Sequence, residues 1–273
     1  MTMQAITQQQ YGEPQDVLRL GEIDKPKIKD DEVLVRVHAA SLAAGDLLMM
    51  RGTPYVFRPI AFGTTKPKNP VPGLDLAGTV EAVGSKVTGF QPGDEVFGEA
   101  TGTLAEYAIA KPNNIARKPA SLSFEQAAAM PVSGQTALQA VRDVAKVQPG
   151  QKVLVTGASG GVGSFAVQIA KALGAEVTGV CSTGNVELVR SIGADHVIDY
   201  TKEDFAQGDE RYDFILDNAG KQSLMELRSA LVPKGTVIPN NGTGGGPWFG
   251  TLGRILRTVV TSPFVSQNLK IFV

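Results

Sequence analysis

Four glycines, Gly157, Gly160, Gly161 and Gly163, fall within VTGASGGVGS (155–164), after the apolar run KVLVTG and before a helix-period pattern. Backbone that bare can approach a pyrophosphate closely. The helix that follows then turns its first N–H groups and partial positive charge toward the same anion. Gly157, Gly160 and Gly163 are spaced G-x-x-G-x-x-G, with Ala158 breaking the stricter G-x-G-x-x-G form. A ligand-free tight turn is the competing reading, and the succession of strand–helix units around the loop favours the phosphate.

A dinucleotide site that selects NAD usually carries an acid about twenty residues past the glycines, to bond the ribose 2′-OH. The segment CSTGN (181–185) has no Asp or Glu there. Ser182, Thr183 and the N–H groups opening the next helix suit a 2′-phosphate donor set, and Tyr200 closes the third strand beside them. Plain helix capping is the other role open to Ser182 and Thr183, and the two roles coexist.

These residues need elements to position them, and the chain supplies two rhythms. Residues 1–124 alternate in short runs: EVLVRVHAA (32–40), LAGTVEAVG (76–84), GDEVFG (93–98) and LAEYAIAKP (104–112). A mostly antiparallel β domain follows from that spacing. RGTPYVFRPIAFGTTKPKNP (51–70) reads as a long loop. Asp46 opens the helix-like GDLLMMRG, as a structural cap or a group near the substrate. From SLSFEQAAAMPVSGQTALQAV (121–141) onward the pattern becomes helical and then alternates strand with helix. Residues 125–273 therefore predict a doubly wound parallel sheet. Gly174 and Gly193 are expected to stop its first two helices.

Composition narrows the partners. With 42% hydrophobic and 19% charged residues and a net charge of −1, the chain has no basic excess for nucleic acid or an anionic membrane. The single cysteine, Cys181, cannot close an internal disulfide, which fits a reducing compartment. MTMQAITQQQ does not read as a secretory signal, and no window is apolar for a bilayer span. A cytoplasmic protein is expected. Two histidines, His38 and His196, both read as structural, cannot assemble a zinc site. No metal is expected.

With both halves in view, the chain resembles the medium-chain dehydrogenase/reductase superfamily, and most of all its zinc-free, quinone-oxidoreductase-like branch. PGLDLAGTVEAVGSKVTGFQPGDEVFG resembles that family's GroES-like β-barrel. VLVTGASGGVG and CSTGNVELVRSIGADHVIDY resemble its NADPH-binding Rossmann half. The resemblance implies an NADPH-dependent reductase of quinones or other α,β-unsaturated carbonyls, acting on a small-molecule carbonyl substrate, with a homodimer left open as the assembly. A non-catalytic NADPH-binding redox sensor or scaffold is the alternative.

Ser159, Gly160, Gly161 and Val162 match the family's pyrophosphate loop, and Ser182, Thr183 and Tyr200 its adenosine-phosphate pocket. Asn218, Gly220, Asn240, Asn241 and Phe272 match cofactor contacts at and beyond the later strands. Thr136 matches a threonine facing the nicotinamide. Tyr55 lies near a tyrosine that donates a proton in related enoyl-thioester reductases, an exposed loop aromatic being the plainer alternative. The zinc-ligand positions of zinc-dependent relatives read Ala44, Leu74 and Val132.

The chain also departs from the pattern. Ala43 replaces a frequent Asn, and Gly184 a frequent basic residue. The C-terminal segment that returns to the barrel is expected to be absent, because the sequence stops at NLKIFV.

Overall fold

Val33, Leu34 and Val35 are all buried, whereas from Arg36 to Ala39 exposed and partly buried residues alternate. That is the pattern of a central strand running out toward a sheet edge. The computed structural model, which describes residues 1–240, 246–250 and 252–271, divides into units Met1–Ser133 and Gly134–Val273.

In the first unit, β1 (Thr2–Gln8), α1 (Pro14–Val17) and β2 (Leu18–Asp24) precede β3 (Val33–Ser41) and α2 (Ala44–Arg51). Then come β4 (Asp75–Val83), β5 (Glu95–Glu99), β6 (Tyr107–Ala110), β7 (Ile115–Arg117) and α3 (Phe124–Ala128). β1 and β2 form an antiparallel pair. The others form a five-stranded antiparallel sheet in the order β6-β3-β4-β5-β7. Its core joins Val33, Val35, Leu76, Val80 and Val96. Each such side chain stabilises the fold by about 1.5–3 kcal/mol on burial.

Two expectations change here. The units divide after Ser133 and not after residue 124. Helix α3, capped by a reciprocal Ser123–Gln126 box, packs Ala127 and Ala128 against Ala77 of the antiparallel sheet. Residues 51–70 are not a plain loop. They contain a 3-10 turn at Tyr55–Phe57 and a wider π turn at Arg58–Phe62. Arg58 fixes them. Its Nε donates to Gly52 O at 2.9 Å, and its guanidinium lies 4.3 Å from the ring centroids of both Tyr11 and Tyr55.

Helix α4 (Pro131–Leu138) contains the division and continues as a π-helical stretch through Val144. The second unit then alternates β8 (Lys152–Thr156), α5 (Gly161–Ala172), β9 (Glu176–Cys181), α6 (Val186–Ser191) and β10 (His196–Asp199). It continues with β11 (Tyr212–Asp217), α7 (Leu224–Ser229), β12 (Leu231–Pro239), α8 (Gly246–Phe249), α9 (Leu252–Thr261) and β13 (Asn268–Leu269). All pairings are parallel, in the order β10-β9-β8-β11-β12-β13.

The chain therefore winds outward from β8 in one direction and from β11 in the other. The carboxyl ends of those two strands form the switch point where open α/β sheets bind ligands. Val153, Leu154 and Val155 are fully buried, as a strand covered on both faces requires. Gly174 and Gly193 follow α5 and α6 with φ of +83° and +109°, left-handed values that end a helix cheaply only at glycine.

Candidate dinucleotide site

The glycine loop joins β8 to α5 at the switch point. Gly157 takes φ +62°, and Gly160 is the extended N-cap residue, with no side chain capping the helix. The first-turn N–H groups at Gly161 and Val162 thus have no capping side chain, and Ser159, Gly160, Gly161 and Val162 together line the turn. Gly163 is forced by packing. A Cβ there would stand 2.1 Å from Gly157 O and 2.8 Å from Ala158 Cα. The bare residue lets α5 lie close against the loop. The residues present fit a dinucleotide.

One strand over, Ser182 and Thr183 leave β9 in a 3-10 turn. Ser182 Oγ accepts from Asn185 Nδ2 at 3.2 Å. Thr183 Oγ1 donates to Asp199 Oδ2 at 2.6 Å. A carboxylate therefore does enter this pocket, from the end of β10, although the β9 end has none. Asp199 is buried and heavily bonded: Oδ1 accepts from the Thr201 hydroxyl at 2.7 Å and the Thr201 N–H at 3.0 Å, and Lys202 Nζ stands 3.3 Å from Oδ2. The hydrogen bonds from Thr183 and Thr201 hold its carboxyl well below the usual carboxylate range. Tyr200 follows it, half exposed, with Lys221 Nζ 3.9 Å above its ring. Sequence reasoning missed Lys202 and Lys221 as cations for this pocket. Lys221 follows Gly220 directly, but only the sheet order brings it over Tyr200.

At the other side of the switch point, Asn218 Nδ2 donates to Thr156 O at 3.1 Å, and Asn218 Oδ1 accepts from Asn240 Nδ2 at 2.7 Å. Beneath them, fully buried Asp217 receives the Thr156 hydroxyl, the Gly220 N–H and the guanidinium of Arg254. Asn218, Gly220 and Asn240 are thus brought together across the ends of β8, β11 and β12. Thr156, Asp217 and Arg254, which hold them, had no motif to announce them. Asn241 and Phe272 lie outside the described residues, as do residues 241–245 of the glycine-rich NNGTGGGPW. Thr136 is half-buried on α4.

The catalytic candidates of the first unit sit in structured places. Asp46 is buried at the start of α2, where its Oδ2 accepts from the Ala43 N–H at 2.7 Å; it caps that helix. Tyr55 is half-buried beneath Arg58 and not an exposed loop ring. Asp75, also buried, accepts from the Val132 N–H at 3.1 Å and from the Ser41 hydroxyl at 3.2 Å. Burial, reinforced by the charges of Asp46 and Glu99, pushes its carboxyl up to about 6.

His38 stacks on Phe124, with ring centroids 4.4 Å apart, and His196 pairs with Glu176 on the surface. Among the described residues no group of three or more His, Cys, Asp or Glu side chains is arranged to hold a metal, and no helix is long and apolar enough to cross a membrane.

Comparison with known proteins places this architecture. The alcohol dehydrogenase GroES-like domain family matches residues 29–120, and the zinc-binding dehydrogenase family matches residues 161–248. A chloroplastic quinone-oxidoreductase homolog of Spinacia oleracea is 37% identical over 249 residues, covering 86% of this chain and 74% of that protein. A chloroplastic NADPH-dependent alkenal/one oxidoreductase of Arabidopsis thaliana is 37% identical over 253 residues, covering 83% of this chain and 64% of that protein. The solved quinone oxidoreductase of Coxiella burnetii superposes with a TM-score of 0.86 at 31% identity, covering 100% of this chain and 83% of that one.

The chain belongs to the medium-chain dehydrogenase/reductase superfamily, with a GroES-like and a Rossmann-like domain. The relatives named above are quinone and alkenal/one oxidoreductases. It spans between 52% and 74% of the length of the curated relatives it matches.

Proposed function

We propose that this chain is an NADPH-dependent, zinc-independent oxidoreductase acting on a quinone or another α,β-unsaturated carbonyl. The observation that carries the proposal is the uncapped, glycine-lined N-terminus of α5 at the sheet's switch point. Ser159, Gly160, Gly161 and Val162 hold the pyrophosphate. Ser182, Tyr200, Lys202 and Lys221 form the 2′-phosphate end, where the lysine charges offset Asp199. Asn218, Asn240 and Thr136 serve the nicotinamide side, with Asn241 and Phe272 assigned there by resemblance. When bound, NADPH supplies a hydride to an electron-poor carbon.

The protein's part is to orient that carbon and to answer the charge developing on the substrate oxygen. Tyr55 is assigned as the O–H donor to that oxygen, with Asp46 fixing the start of the helix that precedes it. The names of the relatives support the acceptor class. Ala44, Leu74 and Val132, whose side chains carry no atom that ligates zinc, support zinc independence. A cytoplasmic location is proposed on Cys181, buried and unpaired with any second cysteine, and a homodimer is proposed as the assembly.

The test is a panel of quinones and enones mixed with NADPH and the chain, followed through nicotinamide absorbance. Acceptor-dependent loss of NADPH is expected. Tyr55→Phe should then lower kcat roughly 10²-fold with little change in NADPH affinity. Tight NADPH binding without turnover of any acceptor would instead favour a sensor or scaffold.

A further inference from the structure

The first unit carries a half-open pocket of about 320 Å³, walled by Asp46, Met49, Met50, Phe62, Val71 and Leu74 among others. Its wall is mostly apolar. The amide of Gln8 in that wall is already engaged, donating to Gln10 O and Met50 O at 2.8 and 2.6 Å. Asn69 Oδ1 accepts from the Val71 N–H. Asp46 differs. It is 2% exposed, its Oδ2 is taken by the Ala43 N–H, and its Oδ1 is buried with no partner among the described residues. A buried carboxylate oxygen left unanswered costs stability, and a ligand that answers it recovers that cost.

We propose that this pocket binds a single-ring phenol, with the phenolic O–H donating to Asp46 Oδ1 and the ring resting on Met49, Met50 and Phe62. The volume suits one ring with small substituents, since an apolar cavity of roughly 150 Å³ already admits benzene. Thioether and aromatic walls favour an aromatic face. Lys68, also in the wall, disfavours a cationic amine as the donor. The proposed binding needs no cofactor and no redox step, although Asp46 and Leu74 in the wall also belong to the catalytic region assigned above and a hydroquinone belongs to the same ligand class.

The test is calorimetric titration of the full chain at pH 8, without NADPH, using 4-methylphenol and its methyl ether. The unaltered chain should bind the phenol tenfold or more tighter than the ether, the range expected of a hydrogen bond to a charged group. Asp46→Asn keeps an oxygen for the Ala43 N–H and turns an NH2 donor toward the ligand, so that preference should vanish while ether binding stays within about twofold.

Equal binding of phenol and ether, or binding of neither, would overturn the proposal, an ordered water being then the occupant of Oδ1. Retention of the tenfold preference by Asp46→Asn would also overturn it. Because the phenol–ether comparison uses the unaltered chain, a variant that fails to fold does not shield the proposal. Phenol binding by a chain inert in the acceptor panel would uphold this site while defeating the proposed enzyme function.

Discussion

The hydroxyl of Thr183, just past the end of β9, donates to Asp199 Oδ2, 2.6 Å away at the end of β10. The strand register sets Asp199 opposite Cys181, so this bond crosses between neighbouring strand ends in the pocket assigned to the adenosine ribose. A carboxylate there would normally repel a 2′-phosphate. Asp199 is instead covered by two threonine hydroxyls, a backbone N–H and Lys202, and Lys221 stands over Tyr200 close by. Thr183 donates its proton to Asp199, so in the proposed site the 2′-phosphate falls to the lysines and Ser182.

Lys221→Met should therefore weaken NADPH binding about five- to tenfold and leave NADH binding unchanged, a modest loss because the ammonium is exposed. Ser182→Asp should reverse the preference by placing a second charge beside the phosphate. Equilibrium titration of both cofactors checks this, and equal losses for NADPH and NADH would remove the lysine from the site.

Gly163→Ala should be far more damaging than an ordinary glycine-to-alanine change in a helix. Its Cβ would meet Gly157 O at 2.1 Å, and neither partner can move without lifting α5 from the loop. A loss of about 2–3 kcal/mol in denaturant unfolding is expected, with dinucleotide binding lost at conditions where the variant is still folded. A melting temperature matching that of the unaltered chain would show that the helix is not held so closely.

Arg254→Met should leave fully buried Asp217 short of its cation. The Thr156 hydroxyl and the Gly220 N–H remain, so the loss should be on the order of 3 kcal/mol, the low end for breaking a buried pair. Asp217→Asn in the same background should recover part of it, because the uncompensated charge is then gone. Chemical denaturation of the single and double variants measures both effects.

Asp75 gives a signed pH dependence. Its folded pKa of about 6 lies above the unfolded value near 3.9, so its contribution to stability is fully present below about pH 4 and is lost as pH rises through 6. Asp75→Asn removes that loss. Relative to the unaltered chain, the variant should gain stability between pH 4 and pH 7, by at most about 3 kcal/mol. Paired melting curves across that range test it, and a difference independent of pH would mean that Asp75 ionises freely in the folded state.

Much of the frame was legible because its signals are local. Gly174 and Gly193 end helices where the apolar period ends, and the glycine loop joins a buried strand to a helix. What escaped depends on partners distant in sequence. Nothing in CSTGN announces Asp199, because the bond from Thr183 exists only once β10 lies beside β9 in register. Arg254 meets Asp217 across 37 positions, and its stretch carries no motif. The proline-rich residues 51–70 looked irregular because Arg58 organises them through ring contacts and carbonyl bonds, which leave no period in the sequence.

The central claim is tested most directly by acceptor-dependent consumption of NADPH by chain treated with a chelator and shown by elemental analysis to be free of zinc. The account predicts steady NADPH loss with a quinone or an enone, one equivalent per reduced acceptor, at the same rate before and after chelation. Activity that vanishes with the metal and returns on adding zinc, or no consumption with any acceptor while NADPH still binds, would contradict it.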